Sequence, residues 1–237
     1  MPAQEREGEG VTKSRGKTLS PGVKYRVSGR EAFQPGSKGK VLGNLLGITS
    51  LRAMEEAELA AAINAEHALI GLYGEFHRFT RSDVDRIHRL FLGKIYAWAG
   101  TTRDVNLSKG GFTFAPWNLV PQLMDDLERD VLAKHTPCEG ATIEEIAEHI
   151  AVVHVEVLLI HPYREGNGRT ARLLATMMAY QAGMPGIDFG FIGSRGKEFN
   201  GYVGAVQAGL DDNYAPMTAI VLRALKRALT RSRSRVR

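Results

Sequence analysis

The 237 residues are enough for one sizeable core, and apolar and charged fractions of 43% and 24% are those of an ordinary globular protein. A single cysteine, Cys138, rules out an internal disulfide, gives no support for a thiolate metal cluster and points to a reducing compartment. The net charge of +5 invites a nucleic-acid reading, but seven basic residues (Arg223, Lys226, Arg227, Arg231, Arg233, Arg235 and Arg237) fall in the last fifteen positions, and subtracting them leaves −2. Such a run reads as a solvated helix end, so nucleic acid is not an expected partner.

Residues 1 to 40, rich in Gly, Ser, Lys and Arg, read as a loosely ordered arm, and Met1 to Gly22 has no apolar segment that would make a secretory signal. The longest apolar stretch, Ile150 to Ile160, is too short to span a bilayer and contains His154 and Glu156. From Leu51 to about His77 the spacing of Met54, Ala57, Ala61, Leu69 and Leu72 predicts a helix. Thr80 or Ser82 caps a second helix through Tyr96, with Val84, Ile87, Leu90 and Phe91 inward. Asp104 to Ala115 alternates weakly around Gly110-Gly111, which suits a small hairpin, and a helix follows from about Pro116 to Ala133.

Thr142 caps the next helix, which keeps three- and four-residue apolar steps through Ile160 until His161-Pro162 breaks it. His154, on its inward face, is expected as a core histidine. Further helices are expected over about Asn167 to Gly183, Arg195 to Leu210 and Ala215 to Arg231. The sum is a mainly α fold with one hairpin, divided into the arm, a helical domain over 41–222 and a basic tail over 223–237.

Chemistry concentrates in His161-Pro-Tyr-Arg-Glu-Gly-Asn-Gly-Arg-Thr-Ala-Arg172. A Gly-Asn-Gly turn opening a helix exposes free N–H groups and the positive end of the dipole, an anion site. Gly166 and Gly168 carry no Cβ, so a phosphate can approach the backbone. Arg169 and Arg172 can neutralise a polyphosphate. Glu165 offers an oxygen to Mg²⁺, which takes one or two carboxylates plus substrate phosphates. His161 is the nearby side chain whose ordinary pKa suits proton removal near neutrality.

One competing pattern uses the same glycines. Gly166 to Ala171 fits the dinucleotide fingerprint, with Asp188 about twenty residues on. The helical period before it and the lack of alternating strands and helices argue against a Rossmann-type protein.

The twelve residues resemble the signature of the Fic family, H-P-F-x-[D/E]-G-N-G-R-x-x-R, with Tyr163 standing for Phe; Ile87-His88-Arg89 and Ile95 to Gly100 resemble the segment that precedes it. The likeness spans about residues 42 to 220. Tyr163 is a departure whose hydroxyl needs a partner.

The resemblance implies a Fic-like helical bundle and a protein adenylyltransferase that moves AMP from ATP to a Tyr, Thr or Ser hydroxyl of a target protein. It implies His161 as general base and Glu165 as the Mg²⁺ ligand. Gly166, Asn167 and Gly168 would form the anion hole, with Arg169 on the leaving pyrophosphate and Arg172 on the terminal phosphate. The hairpin of Lys109, Gly110, Gly111, Phe112, Thr113, Phe114 and Ala115 would be a flap that aligns the target. The inhibitory pattern [S/T]-x-x-x-E-[G/N] is absent: Ser194 to Glu198 is followed by Phe199, and Thr136 to Gly140 is one residue short. Restraint is therefore expected from a separate small antitoxin whose glutamate pairs with Arg172. A bacterial cytoplasmic location, or secretion into a host cell, accompanies that expectation. A nucleotide-binding regulator without turnover is the other reading.

Overall fold

A computed structural model describes residues 33–235. Most of the expected N-terminal arm, with the stretch judged free of a secretory signal, lies outside the described residues, as do Val236 and Arg237.

The helix α5, Ile143–Ile160, is the axis of the fold. Thr142 starts it with a capping box, its hydroxyl accepting the Glu145 amide while the Glu145 carboxylate accepts the Thr142 amide. From Ile146 onward its residues are buried nearly all round, the pattern of a helix enclosed by others. Its largest contacts are with α8, Ala215–Arg235, and α6, Asn167–Gln181. The pair α1, Leu51–Ile70, and α2, Arg81–Leu92, covers another face of α6. The helix α7, Lys197–Ala208, rests on α8 and α5.

Element identities follow the sequence; several ends do not. The first helix stops at Ile70 rather than about His77, because the Gly71 amide turns back onto Leu69 and frees Tyr73 and His77 to cluster with Phe79. The second stops at Leu92 rather than Tyr96. The amides of Ile95 and Tyr96 both bond to the Leu92 carbonyl, a tight turn that drives the Tyr96 ring inward. Leu90, expected inward, is 42% exposed, since Val84, Ile87, His88 and Phe91 fill that face.

The run after the hairpin changes pitch. A 3₁₀ turn, Trp117–Leu119, leads into α3, Val120–Asp126, then a wider π stretch, Leu127–Leu132, and a last turn α4, Ala133–His135. The hairpin is very short, β1 Ser108–Lys109 pairing with β2 Phe112–Thr113. Gly110 and Gly111, at φ of 57° and 87°, make the two-residue turn that matches strand twist and that side chains resist.

The expected basic tail begins inside α8. There Arg223 pairs with Glu198, Lys226 with Glu144, and Arg227 and Arg231 with Asp188. Arg223 also lies 4.1 Å from the Phe191 ring centre. Four of the seven basic residues thus have acidic neighbours within the fold. Among the described residues no helix is long and apolar enough to cross a membrane.

Candidate active site

The site lies between the end of α5 and the start of α6. His161 closes α5 in the left-handed region, φ 52° and ψ 58°, with its amide bonded to the Val157 carbonyl. This turn reverses the chain and leaves the imidazole 6% exposed. Its Nδ1 lies 3.2 Å from the Leu158 carbonyl oxygen. A carbonyl can only accept, so Nδ1 carries the proton and the basic lone pair is on Nε2. Burial pushes the imidazole pKa down to about 3, so the ring is neutral at pH 7.

Phe114, at the end of the hairpin, stacks on that ring at 3.7 Å between centres. Arg103 ties the same parts together through backbone oxygens. It donates to His161 and Ile160 at the end of α5, and to Val105 and Ala115 at the two stems of the hairpin loop. Burial lowers the guanidinium pKa to about 10, and the group is still charged at neutral pH.

The turn before α6 is braced from within. The Asn167 side chain, 1% exposed, accepts the Tyr163 amide and donates to the Tyr163 carbonyl, at 2.8 and 2.7 Å. What Asn167 can offer an anion is therefore its backbone N–H. His88 braces the turn from outside: its Nε2 donates to the Glu165 carbonyl at 3.0 Å and its Nδ1 accepts the Gly100 amide at 2.7 Å. The Tyr163 hydroxyl, which needed a partner, donates to Asp85 at 2.8 Å.

The two glycines of the turn differ. Gly166 sits at φ 85°, and a Cβ there would lie 2.7 Å from Leu92 Cδ1 and 3.2 Å from the Phe91 ring. Its freedom is needed for packing and turning, not for the approach of a phosphate, and its amide is taken by Glu165 Oε1 at 3.0 Å. A Cβ on Gly168 would meet nothing within 4 Å. Among the described residues the amides of Asn167 and Gly168 have no acceptor, as expected at the open start of a helix.

The arginines lean to different sides. Arg169 donates to Glu58 at 2.7 Å and stands 5.0 Å from the Phe91 ring centre. Arg172 lies over Phe189 and Tyr202, 5.9 and 5.8 Å from the ring centres, and its buried Nε has no hydrogen-bond partner among the described residues. A buried donor of that kind is one an anion would satisfy.

No group of three or more His, Cys, Asp or Glu side chains that could hold a metal occurs among the described residues. Glu165 alone, with its Arg169 and Gly166 contacts both on Oε1, fits a Mg²⁺ that takes its remaining ligands from phosphates and water. His154 is a satisfied core histidine, its rings' nitrogens facing the Ala171 carbonyl and the Tyr202 hydroxyl. The segment before Gly166 is helical, and the described sheet is one two-stranded antiparallel hairpin, so the dinucleotide fingerprint lacks its strand.

Sequence reasoning missed Arg103, Asp85 and Glu58, and quoted His88 only within a resembling segment, without its bracing role. For Glu58 a signal existed, an acid four residues after Met54 on the buried face of α1. Arg103 gave none, because its acceptors are all backbone.

Residues 78–179 match the Fic/DOC family. The chain is 31% identical over 143 residues to protein adenylyltransferase VbhT of Bartonella schoenbuchensis, covering 60% of this chain and 30% of that protein. It is 32% identical over 97 residues to the probable protein adenylyltransferase y4lH of Sinorhizobium fredii, covering 41% and 50%. The chain thus spans half or less of the length of these curated relatives. Among solved structures, the Fic domain of a putative cell filamentation protein of Bartonella quintana with bound ADP superposes with a TM-score of 0.64 at 24% identity, covering 81% of this chain and 92% of that one. BepC of Bartonella tribocorum with bound AMPPNP gives 0.62 at 22% identity, covering 77% and 91%. The twelve-residue signature lies at the junction of α5 and α6, and residues 78–179 match the Fic/DOC family model.

Proposed function

We propose that the protein is an adenylyltransferase that moves AMP from ATP to a Tyr, Thr or Ser hydroxyl of a target protein. The observation that carries this reading is the tautomer of His161: with its Nδ1–H directed at Leu158, Nε2 is the atom that accepts a proton. Amides of Asn167 and Gly168 without an acceptor among the described residues, together with Arg169 and Arg172 of the same helix, supply the charge that phosphoryl chemistry needs.

In this reading the triphosphate lies at the start of α6. His161 Nε2 takes the proton of the target hydroxyl as that oxygen attacks the α-phosphorus. The bond to the bridging oxygen breaks and pyrophosphate leaves against Arg169. Phosphate charge beside the imidazole raises its depressed pKa towards neutrality, making it a stronger base only when nucleotide is bound. Glu165 would hold Mg²⁺, which when bound neutralises phosphate charge. The hairpin from Lys109 to Ala115 aligns the target segment by strand addition, and its stacking on His161 through Phe114 ties that segment to the base.

A small antitoxin supplying a glutamate to Arg172 accompanies the reading. Its support is that Arg172 lies over two aromatic rings, with no carboxylate ion pair among the described residues. The cytoplasm is the proposed site of action, with delivery into a host cell the alternative carried by the relatives' type.

The test is incubation of the protein and a lysate with ATP labelled at the α- or the γ-phosphate. Label from α alone supports AMP transfer; label from γ alone means a kinase, and no label from either leaves a nucleotide binder. His161→Ala should lower transfer at least about a hundredfold while ATP binding persists.

A further inference from the structure

Arg169 is not held by its own helix. Its Nη2 donates to Glu58 Oε2 at 2.7 Å and, at the longer distance of 3.5 Å, to Glu165 Oε1, one turn earlier in the sequence. Glu58 stands on α1, outside the residues that match the Fic/DOC family. It is 2% exposed, and a carboxylate at that depth is costly unless it is paired and hydrogen-bonded. Both conditions are met, because Oε1 accepts the Tyr96 hydroxyl at 2.8 Å. Burial first, and Glu58 second, raise the Tyr96 pKa, so the phenol stays a donor.

The geometry has a consequence for the acid on the other side. A guanidinium offers its N–H groups in a rigid fork, so fixing one edge fixes the direction of the rest. With Glu58 gripping Nη2 and the Phe91 ring alongside, the fork is oriented before any ligand arrives. Without Glu58, the carboxylate within reach is Glu165, and closure onto it would neutralise Arg169 and occupy Glu165 together. Glu58 is also a poor candidate for a removable block, since it is enclosed in the core and tethered by Tyr96.

We infer that Glu58 is a positioning residue that, as the nearer of the two acceptors, keeps Arg169 from closing fully onto Glu165 and directs its guanidinium at a phosphate group bound at the start of α6. This rests on the phosphate-facing role of Arg169 in the proposed function and extends it to a helix beyond the family match.

The probe is inorganic pyrophosphate, titrated calorimetrically into the full chain in EDTA buffer, so that no metal is involved. Arg169→Ala and Glu58→Ala should each weaken binding about tenfold, the loss of one charge-assisted hydrogen bond. Glu58→Gln, whose amide oxygen still accepts from Arg169, should recover most of that loss. In the Arg169→Ala background Glu58→Ala should cost nothing further. Tyr96→Phe gives a milder version should Glu58→Ala fail to fold: weaker binding by about twofold with Arg169 present and no change without it.

Two results would overturn the inference. Tighter pyrophosphate binding in Glu58→Ala would make the acid a competitor for Arg169. An equal loss with and without Arg169, tracking a lower thermal midpoint, would make it a core residue only. Absence of AMP transfer by the wild-type chain would sink the proposed function while leaving the pyrophosphate coupling to stand or fall by itself.

Discussion

Arg103 donates its Nε–H to the carbonyl oxygen of His161 at 2.8 Å, and its own amide donates to the next carbonyl, that of Pro162. A buried cation therefore satisfies the last carbonyls of α5, where the negative end of the helix dipole lies, and pins the left-handed turn that aims the imidazole. Its other nitrogens reach Val105 and Ala115, so hairpin and histidine share one support.

Arg103→Lys keeps the charge but cannot span acceptors on both elements. The expected result is a loss of about 2 kcal/mol in urea unfolding, with a fall in AMP transfer larger than the fall in ATP affinity. Unchanged transfer at unchanged stability would show that the fork is dispensable.

The two glycines of the turn should behave oppositely. Gly166→Ala forces a side chain into φ 85° and against Leu92, and should cost about 1–3 kcal/mol of stability. Gly168→Ala, in open space within the first turn of α6, should stabilise by about 0.5–1 kcal/mol yet weaken ATP binding. Thermal melts beside nucleotide titrations separate the two; a stable Gly168→Ala that binds ATP normally would put the phosphate elsewhere.

Tyr163→Phe restores the usual residue of the signature but removes the hydroxyl that Asp85 accepts. Burial raises the Asp85 pKa, while Tyr163 first and Arg81 second hold it down. Loss of the donor should cost about 1 kcal/mol at pH 7, and the deficit should shrink at low pH as Asp85 protonates. A Tyr163→Phe protein as stable as wild type at pH 7 would show the pair to be neutral.

Three buried histidines set the acid behaviour of the fold. Desolvation pushes His88 and His154 down to about 4 and His161 to about 3, against 6.5 for the unfolded chain. Between those values the unfolded chain binds protons that the native fold refuses. The contribution of these three groups is thus complete above about pH 6.5 and is lost progressively as pH drops through 6.5 towards about 3. Urea midpoints at pH 7.5, 6 and 5 should decline progressively; a flat series would mean that these rings protonate in place. His154→Phe should flatten part of the slope.

Local chemistry was legible in the chain itself. Thr142 announces a helix start and the pair Thr80 and Ser82 another, of which Thr80 is the cap; His161-Pro162 announces a helix stop and Gly110-Gly111 a turn, because caps, proline sterics and positive φ act over a few residues. The candidate residues from His161 to Arg172 could be named together for the same reason, being contiguous in the chain. Tertiary structure decided what depends on distant partners. It gave α2 an earlier end through the packing of Tyr96, and drew Glu58, Arg103 and Asp85 to the site from segments far away in the chain. Their acceptors and donors are set by how helices pack, and no periodicity or spacing encodes that directly.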